Sequence, residues 1–293
     1  MKRILFNILL LTSTLSAFAT DFIVVNTNNS GTGSLRMAIT NANSASGGPH
    51  TIKFNIPASD GGYNSQTGVW TISLTSPLSY IMKAGTVIDG TSQTTFAGNT
   101  NTLGPEIMLN GNTTVDYAFF IINVPDVEIK GFIISSFIYG IQISGSASTN
   151  NVIKNNYIGV NYNASDSLPN YIGIEISGGA YANIVGGINP DDRNIISGNS
   201  HIGIRLLQSS SNIIKGNYVG LDRTGNIAIK NYDGISLEGA TQFNIIGGYT
   251  PEERNVVSGN DAYGIPLIGL DTRHNKIIGN YWLMTFMPKW KIE

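Results

Sequence analysis

Apolar residues in this chain alternate with polar ones in short runs, and the runs return at fixed intervals. A Gly-Ile-x-[Ile/Leu] element starts at Gly140, Gly173, Gly203, Gly234 and Gly264, and an Asn-x-[Ile/Val] element starts at Asn151, Asn183, Asn212, Asn244 and Asn275. Alternation with period two marks a strand with one buried face. The Gly, Asn and Ser residues between the runs supply turns. The two elements alternate at steps of roughly 30 residues, and longer stretches repeat at 61. Asn183-Ile184-Val185-Gly186-Gly187 returns as Asn244-Ile245-Ile246-Gly247-Gly248, and Arg193-Asn194-Ile195-Ile196-Ser197-Gly198-Asn199 as Arg254-Asn255-Val256-Val257-Ser258-Gly259-Asn260.

A short strand-turn-strand unit cannot bury its apolar face alone, but stacked units share one continuous core. The pattern predicts an all-β, parallel β-solenoid of about seven or eight coils, with a β-sandwich as the alternative. Successive coils lie about 4.8 Å apart. Ile141, Ile174, Ile204, Ile235 and Ile265 then form one inward column, and Ile153, Val185, Ile214, Ile246 and Ile277 another. The asparagines at 151, 183, 212, 244 and 275 form a ladder at a turn. A coil needs fewer residues than the repeat contains, so protruding loops are expected at 188–192, 249–253 and 222–231.

The ends differ from the middle. Lys2 and Arg3, an apolar run over 4–11 and the ending Ala17-Phe18-Ala19 read as a secretory signal peptide over 1–19. Residues 20–60 read as an N-terminal cap of a strand plus an amphipathic helix. Ser34 is its N-cap, and Leu35, Ala38, Ile39 and Ala42 share one face. The β-helix repeats occupy 61–281. Residues 282–293 break the pattern with two of the three tryptophans, as an apolar plug or a truncation.

Composition narrows the chemistry. Charged residues make up only 12% of the 293, against 34 Gly and 33 Asn, and cysteine is absent. A coiled coil, a disulfide scaffold and a thiol nucleophile are excluded. Without the leader the chain carries 15 basic and 19 acidic residues, which gives no footprint for nucleic acid. No other apolar stretch is long enough to span a membrane, so the exported product is expected to be secreted or held at the cell surface.

Three sets of residues carry the remaining possibilities. Asp191-Asp192-Arg193 and its copy Glu252-Glu253-Arg254 follow the Gly-Gly pairs. They are candidates for a calcium or acidic-sugar subsite, or for a structural loop clamp. The outward positions of the Gly-Ile strands place Glu175 beside Arg205, with Glu238 diagonal to it. Such a group suits acid-base catalysis, or is a surface ion pair. Tyr157, Tyr218 and Tyr281 recur every second coil, about 9.6 Å apart, as a sugar-stacking series or as turn packing. His50, His201 and His274 stand isolated, outside any metal-ligand spacing.

Asn29-Ser30-Gly31-Thr32-Gly33-Ser34-Leu35-Arg36-Met37-Ala38 resembles the N-terminal CSLREA motif of secreted bacterial repeat proteins, with Gly33 in place of Cys and Met37 in place of Glu. Thr86-Val87-Ile88-Asp89-Gly90 and Ile107-Met108-Leu109-Asn110-Gly111 are similar to the segment that follows it. The repeats resemble right-handed parallel β-helices of the pectate-lyase-like superfamily over residues 22–281. That resemblance implies a right-handed parallel β-helix with a short N-terminal capping helix. It allows both polysaccharide lyases or glycoside hydrolases and non-catalytic, adhesin-like surface proteins. The expected role is a non-catalytic contact with polysaccharide or neighbouring cells. An enzyme using Glu175, Arg205 and Glu238, and a purely structural spacer, are the alternatives.

Overall fold

The computed structural model describes residues 19–282. Of the signal peptide read over 1–19, residues 1–18 lie outside the described residues, and of the tail read over 282–293, residues 283–293 do. The chain is an all-β parallel β-helix. One sheet has nine strands, each from a successive coil, running from Asp21–Val24 to Lys276–Ile278. A second, twelve-stranded sheet begins as one surface and then divides. The long strand Phe132–Ser144 pairs through its first part with Tyr157–Ile158 and through its last part with Ile172–Ser177. Beyond it, short strands at Ile195–Ile196, Tyr218–Val219 and Val256–Val257 line one arm, and Ile202–Leu207, Asp233–Glu238 and Leu267–Ile268 line the other.

The expected columns form in register. Ile141, Ile174, Ile204 and Ile235 are direct partners, as are Ile153, Val185, Ile214, Ile246 and Ile277. The members up to Ile235 and Ile246 are fully buried, while Ile277 on the last described coil is 40% exposed. The Asn151 ladder forms as well. Each amide donates to the side-chain oxygen of the next at 2.9–3.0 Å, and each backbone N–H bonds that same oxygen.

Two further ladders were not anticipated. Asn156, Asn194, Asn217, Asn255 and Asn280 line a second corner, and Asn170, Asn199, Asn231 and Asn260 a third. A polar group inside a turn must have partners there. In a stack the next coil always supplies one.

The helix Leu35–Ser44 buries Leu35, Ala38, Ile39 and Ala42, and Ser34 caps it by accepting from the Met37 N–H. Arg36 fastens its outer side. The guanidinium donates to Asn29 and to the carbonyls of Ser76 and Pro77. The segment 20–60 is not separate from the sheet, however. Asp21–Val24 and Thr51–Phe54 pair in parallel and continue onto Val87–Asp89, so they are the first two rungs. This is why the sheet has nine rungs rather than seven or eight. Their sequences lack the Asn and Gly-Ile signatures, which belong to the later coils. Among the described residues no helix is long and apolar enough to cross a membrane.

Candidate functional site

The outward faces of the strands carry the polar chemistry. Gln142, Glu175, Arg205 and Ser236 follow one another in register, and Glu238 stands beside Leu207. Arg205 reaches both acids, at 3.3 Å from a Glu175 oxygen and 2.8 Å from a Glu238 oxygen. Gln142 donates to the other Glu175 oxygen at 2.9 Å, and Ser236 to the other Glu238 oxygen at 2.8 Å. Burial by itself would lower the Arg205 pKa. The hydrogen bond and charge of Glu238, with the charge of Glu175, outweigh it and hold the guanidinium above its ordinary value. All four carboxylate oxygens therefore already accept a hydrogen bond, and Glu175 is only 4% exposed. A general acid needs a proton and a free approach to substrate. Here the approach to Glu175 is closed by its burial and both acids are engaged by Arg205.

The acidic loop pairs are held in the same manner. Each ends a short 3-10 turn, Pro190–Asp192 and Pro251–Glu253. Asp192 faces Lys154 at 3.5 Å and Glu253 faces Lys215 at 3.6 Å. Glu253 also accepts the N–H groups of Thr250 and Tyr249, which hold its carboxyl below the usual range. The preceding Gly-Gly pairs allow this. A Cβ on Gly187 would lie 2.5 Å from that of Asp192, and one on Gly248 2.3 Å from a Glu253 oxygen. Arg193 donates to the Gly216 carbonyl at 3.1 Å. Among the described residues no three His, Asp or Glu side chains group as a metal would need. Asp192 and Glu253 thus each tie a loop to a neighbouring lysine, while Asp191 and Glu252 stand exposed.

Tyr157, Tyr218 and Tyr281 do recur at every second coil, separated by Ile195 and Val256. Their rings are engaged in packing. Tyr157 donates its hydroxyl to the Leu103 carbonyl at 2.7 Å, and burial raises its pKa. The guanidinium of Arg193 lies over the Tyr218 ring at 4.1 Å, and that of Arg254 lies 4.9 Å from the Tyr281 centroid. Gly225 also lies close against the Tyr218 ring. Tyr157 and Tyr218 are thus packed against neighbouring loops, whereas Tyr281 is 58% exposed.

A different aromatic series lies open. Two residues before the repeat glycines Gly173, Gly203 and Gly234 stand Tyr171, His201 and Tyr232. The imidazole stacks on Tyr171 at 4.9 Å and 10°, and on Tyr232 at 5.9 Å and 15°. Both tyrosines are about half exposed. Stacked rings hide their faces from solvent and present edges, here two phenol hydroxyls with an imidazole between them. Asp233 lies within the influence of His201 and Glu238, and burial pushes its carboxyl upward despite the Tyr263 N–H at 3.1 Å.

Beside Tyr232 the surface opens into a groove of about 450 Å³. Ser165, Asp166 and Ser167 form one wall, Ala228–Lys230 the other, and Gly198, Asn199 and Ser200 the floor. Its origin is the 61-residue period. The expected loop at 222–231 forms when the Asp222 carboxylate accepts the N–H groups of Asn226 and Ile227 at 3.0 Å. These bonds and that of Thr224 overcome burial and hold its pKa below the ordinary value. Two coils earlier, the Asn161 side chain shapes a matching loop by accepting the Ser165 N–H at 2.9 Å. The coil between them turns directly through 197–200 and leaves a notch. Lys230 and Asp261 close one side as an exposed pair at 2.8 Å.

No family model matches the chain, and no curated protein does. Among solved structures it is similar to Geobacillus virus E2 - ORF18 at 14% identity and a TM-score of 0.25, covering 89% of this chain. The chain spans 60% of the length of that one. A likeness at this level carries no functional argument.

Proposed function

We propose that this protein is a non-catalytic, exported β-helix that holds a glycan, polysaccharide or cell-surface polymer, against its lateral face. The observation that carries the reading is the groove beside the Tyr171–His201–Tyr232 stack. It sets hydroxyls, two carboxylates, an ammonium and amide groups around a space of oligosaccharide size, the mixture that sugar hydroxyls engage. Its Lys230 and Asp261 offset one another, so a neutral glycan suits it better than a polyanion. The saturated bonding of Glu175 and Glu238 favours binding over the lyase or glycoside hydrolase alternative.

The test presents the purified protein to neutral and acidic polysaccharides immobilised on beads. Retention on a neutral glycan without new reducing ends is expected. New ends that vanish in Arg205→Ala would replace this reading by the enzymatic one. Absence of both retention and cleavage across the panel would leave a spacer.

A further inference from the structure

The groove is a slot one coil wide, and its two directions are not equivalent. Along the helix axis it is bounded on both sides, by residues 165–167 on one coil and 228–230 two coils on, about 9.6 Å apart. A chain lying parallel to the axis would have to cross both walls. The loop at 161–168 also meets its upstream neighbour, where the Asn101 amide donates to the Tyr162 carbonyl at 3.0 Å. The length of the slot therefore runs across the axis, along the floor residues Gly198, Asn199 and Ser200.

The two ends of that length differ. At one end the loop tips stand free, with residues 165–167 and 226–228 all exposed. At the other end the floor passes from Ser200 into His201, whose ring occupies the space between Tyr171 on one wall's coil and Tyr232 on the other's. The backbone sets the three in line, since the His201 N–H donates to the Tyr171 carbonyl and the Asp233 N–H to the His201 carbonyl. Ring centroids at 4.9 and 5.9 Å, with planes within 15°, leave no gap for a sugar between them. The floor coil also carries one extra residue here. Asn199 is the ladder partner of Asn170 and Asn231, yet His201 rather than Ser200 lines up with Tyr171. Ser200 is that residue, and it stands exposed immediately before the imidazole.

We propose that the slot takes the end of a glycan chain, entering between the loop tips with its terminal sugar against the Tyr171–His201–Tyr232 stack, and does not hold the interior of a polymer. This deepens the glycan reading above and rests on it. A stiff extended chain needs two exits to pass through a slot, and this one has a single exit. The volume of about 450 Å³ agrees, being at the small end of ligand cavities. At the blocked end the terminal hydroxyls meet phenol hydroxyls and an imidazole edge, groups that both donate and accept hydrogen bonds.

The test counts protein bound per chain. The probes are size fractions of the neutral polysaccharides of the bead panel, titrated calorimetrically with the full protein. At saturation, protein bound per chain should stay constant as the chains lengthen, because each chain offers the same ends. A ratio that rises in proportion to length would mean interior binding and overturn the proposal while leaving the glycan reading intact. His201→Ala opens the blocked end, so in a variant that unfolds like wild type the ratio should rise with length. A constant ratio in both proteins would show that the stack does not select chain ends, and would overturn it too. Retention of no glycan by wild type would remove the glycan reading and this inference together.

Discussion

The inside of this helix repeats with every coil, and its outside with every second coil. Inward, Ile174, Ile204 and Ile235 and the asparagine ladders present the same group on each rung. Outward, loops stand at 161–168 and 222–230 with a bare turn between them, and Tyr157 and Tyr218 are separated by Ile195. The difference has a physical cause. A buried side chain touches the coils above and below, so each rung must match its neighbours in size and hydrogen bonding. A surface loop has no such constraint. Doubling the period there opens a notch that a uniform solenoid would not have.

The comparison breaks most sharply where one strand shows both sides. Ile204→Ala should lower unfolding free energy by about 3 kcal/mol in denaturant titration, because it leaves a cavity between Ile174 and Ile235. The ladder comes next. Asn212→Ala removes the acceptor of the Asn183 backbone and amide N–H groups, both buried, at a cost of about 2 kcal/mol. On the outward side of the same strand, Arg205→Ala should cost about 1 kcal/mol, mainly by leaving the nearly buried Glu175 without its counter-ion. Lys230→Ala should change stability by less than about 0.5 kcal/mol, since both partners are more than half exposed, while still reducing glycan retention.

Acid sharpens the outer half of the contrast. The folded Asp222 carboxyl titrates below its unfolded value, so its contribution is complete above about pH 4 and is lost as pH falls through the folded value. The 222–231 loop should therefore gain amide exchange in that range before the inward columns do. Simultaneous exchange of both would contradict a separately held surface.

What could be read from the amino-acid sequence divides along the same line. The inward Ile columns and the first Asn ladder were legible because they repeat with nearly identical residues at one-coil spacing. The second and third ladders use the same residue, but their spacing alternates. Asn156 to Asn194 spans a loop-bearing interval, whereas Asn194 to Asn217 does not. The Glu175–Arg205–Glu238 contact followed from register alone. Its chemical character did not, because the Gln142 and Ser236 donors that saturate the acids only become partners once the coils stack. The open aromatic row was hidden by its variety, Tyr, His and Tyr. Its positions two residues before the three middle repeat glycines were the available signal. The first two rungs were masked by a helix inserted between them.

The central claim is that the notch between the two loops holds the ligand. Isothermal titration of a retained neutral oligosaccharide against wild type and Ser200→Trp tests it most directly, since Ser200 is an exposed residue on the groove floor. Loss of binding in a variant that unfolds like wild type, with no new reducing ends from either protein, is the expected result. Unchanged affinity in Ser200→Trp would contradict it.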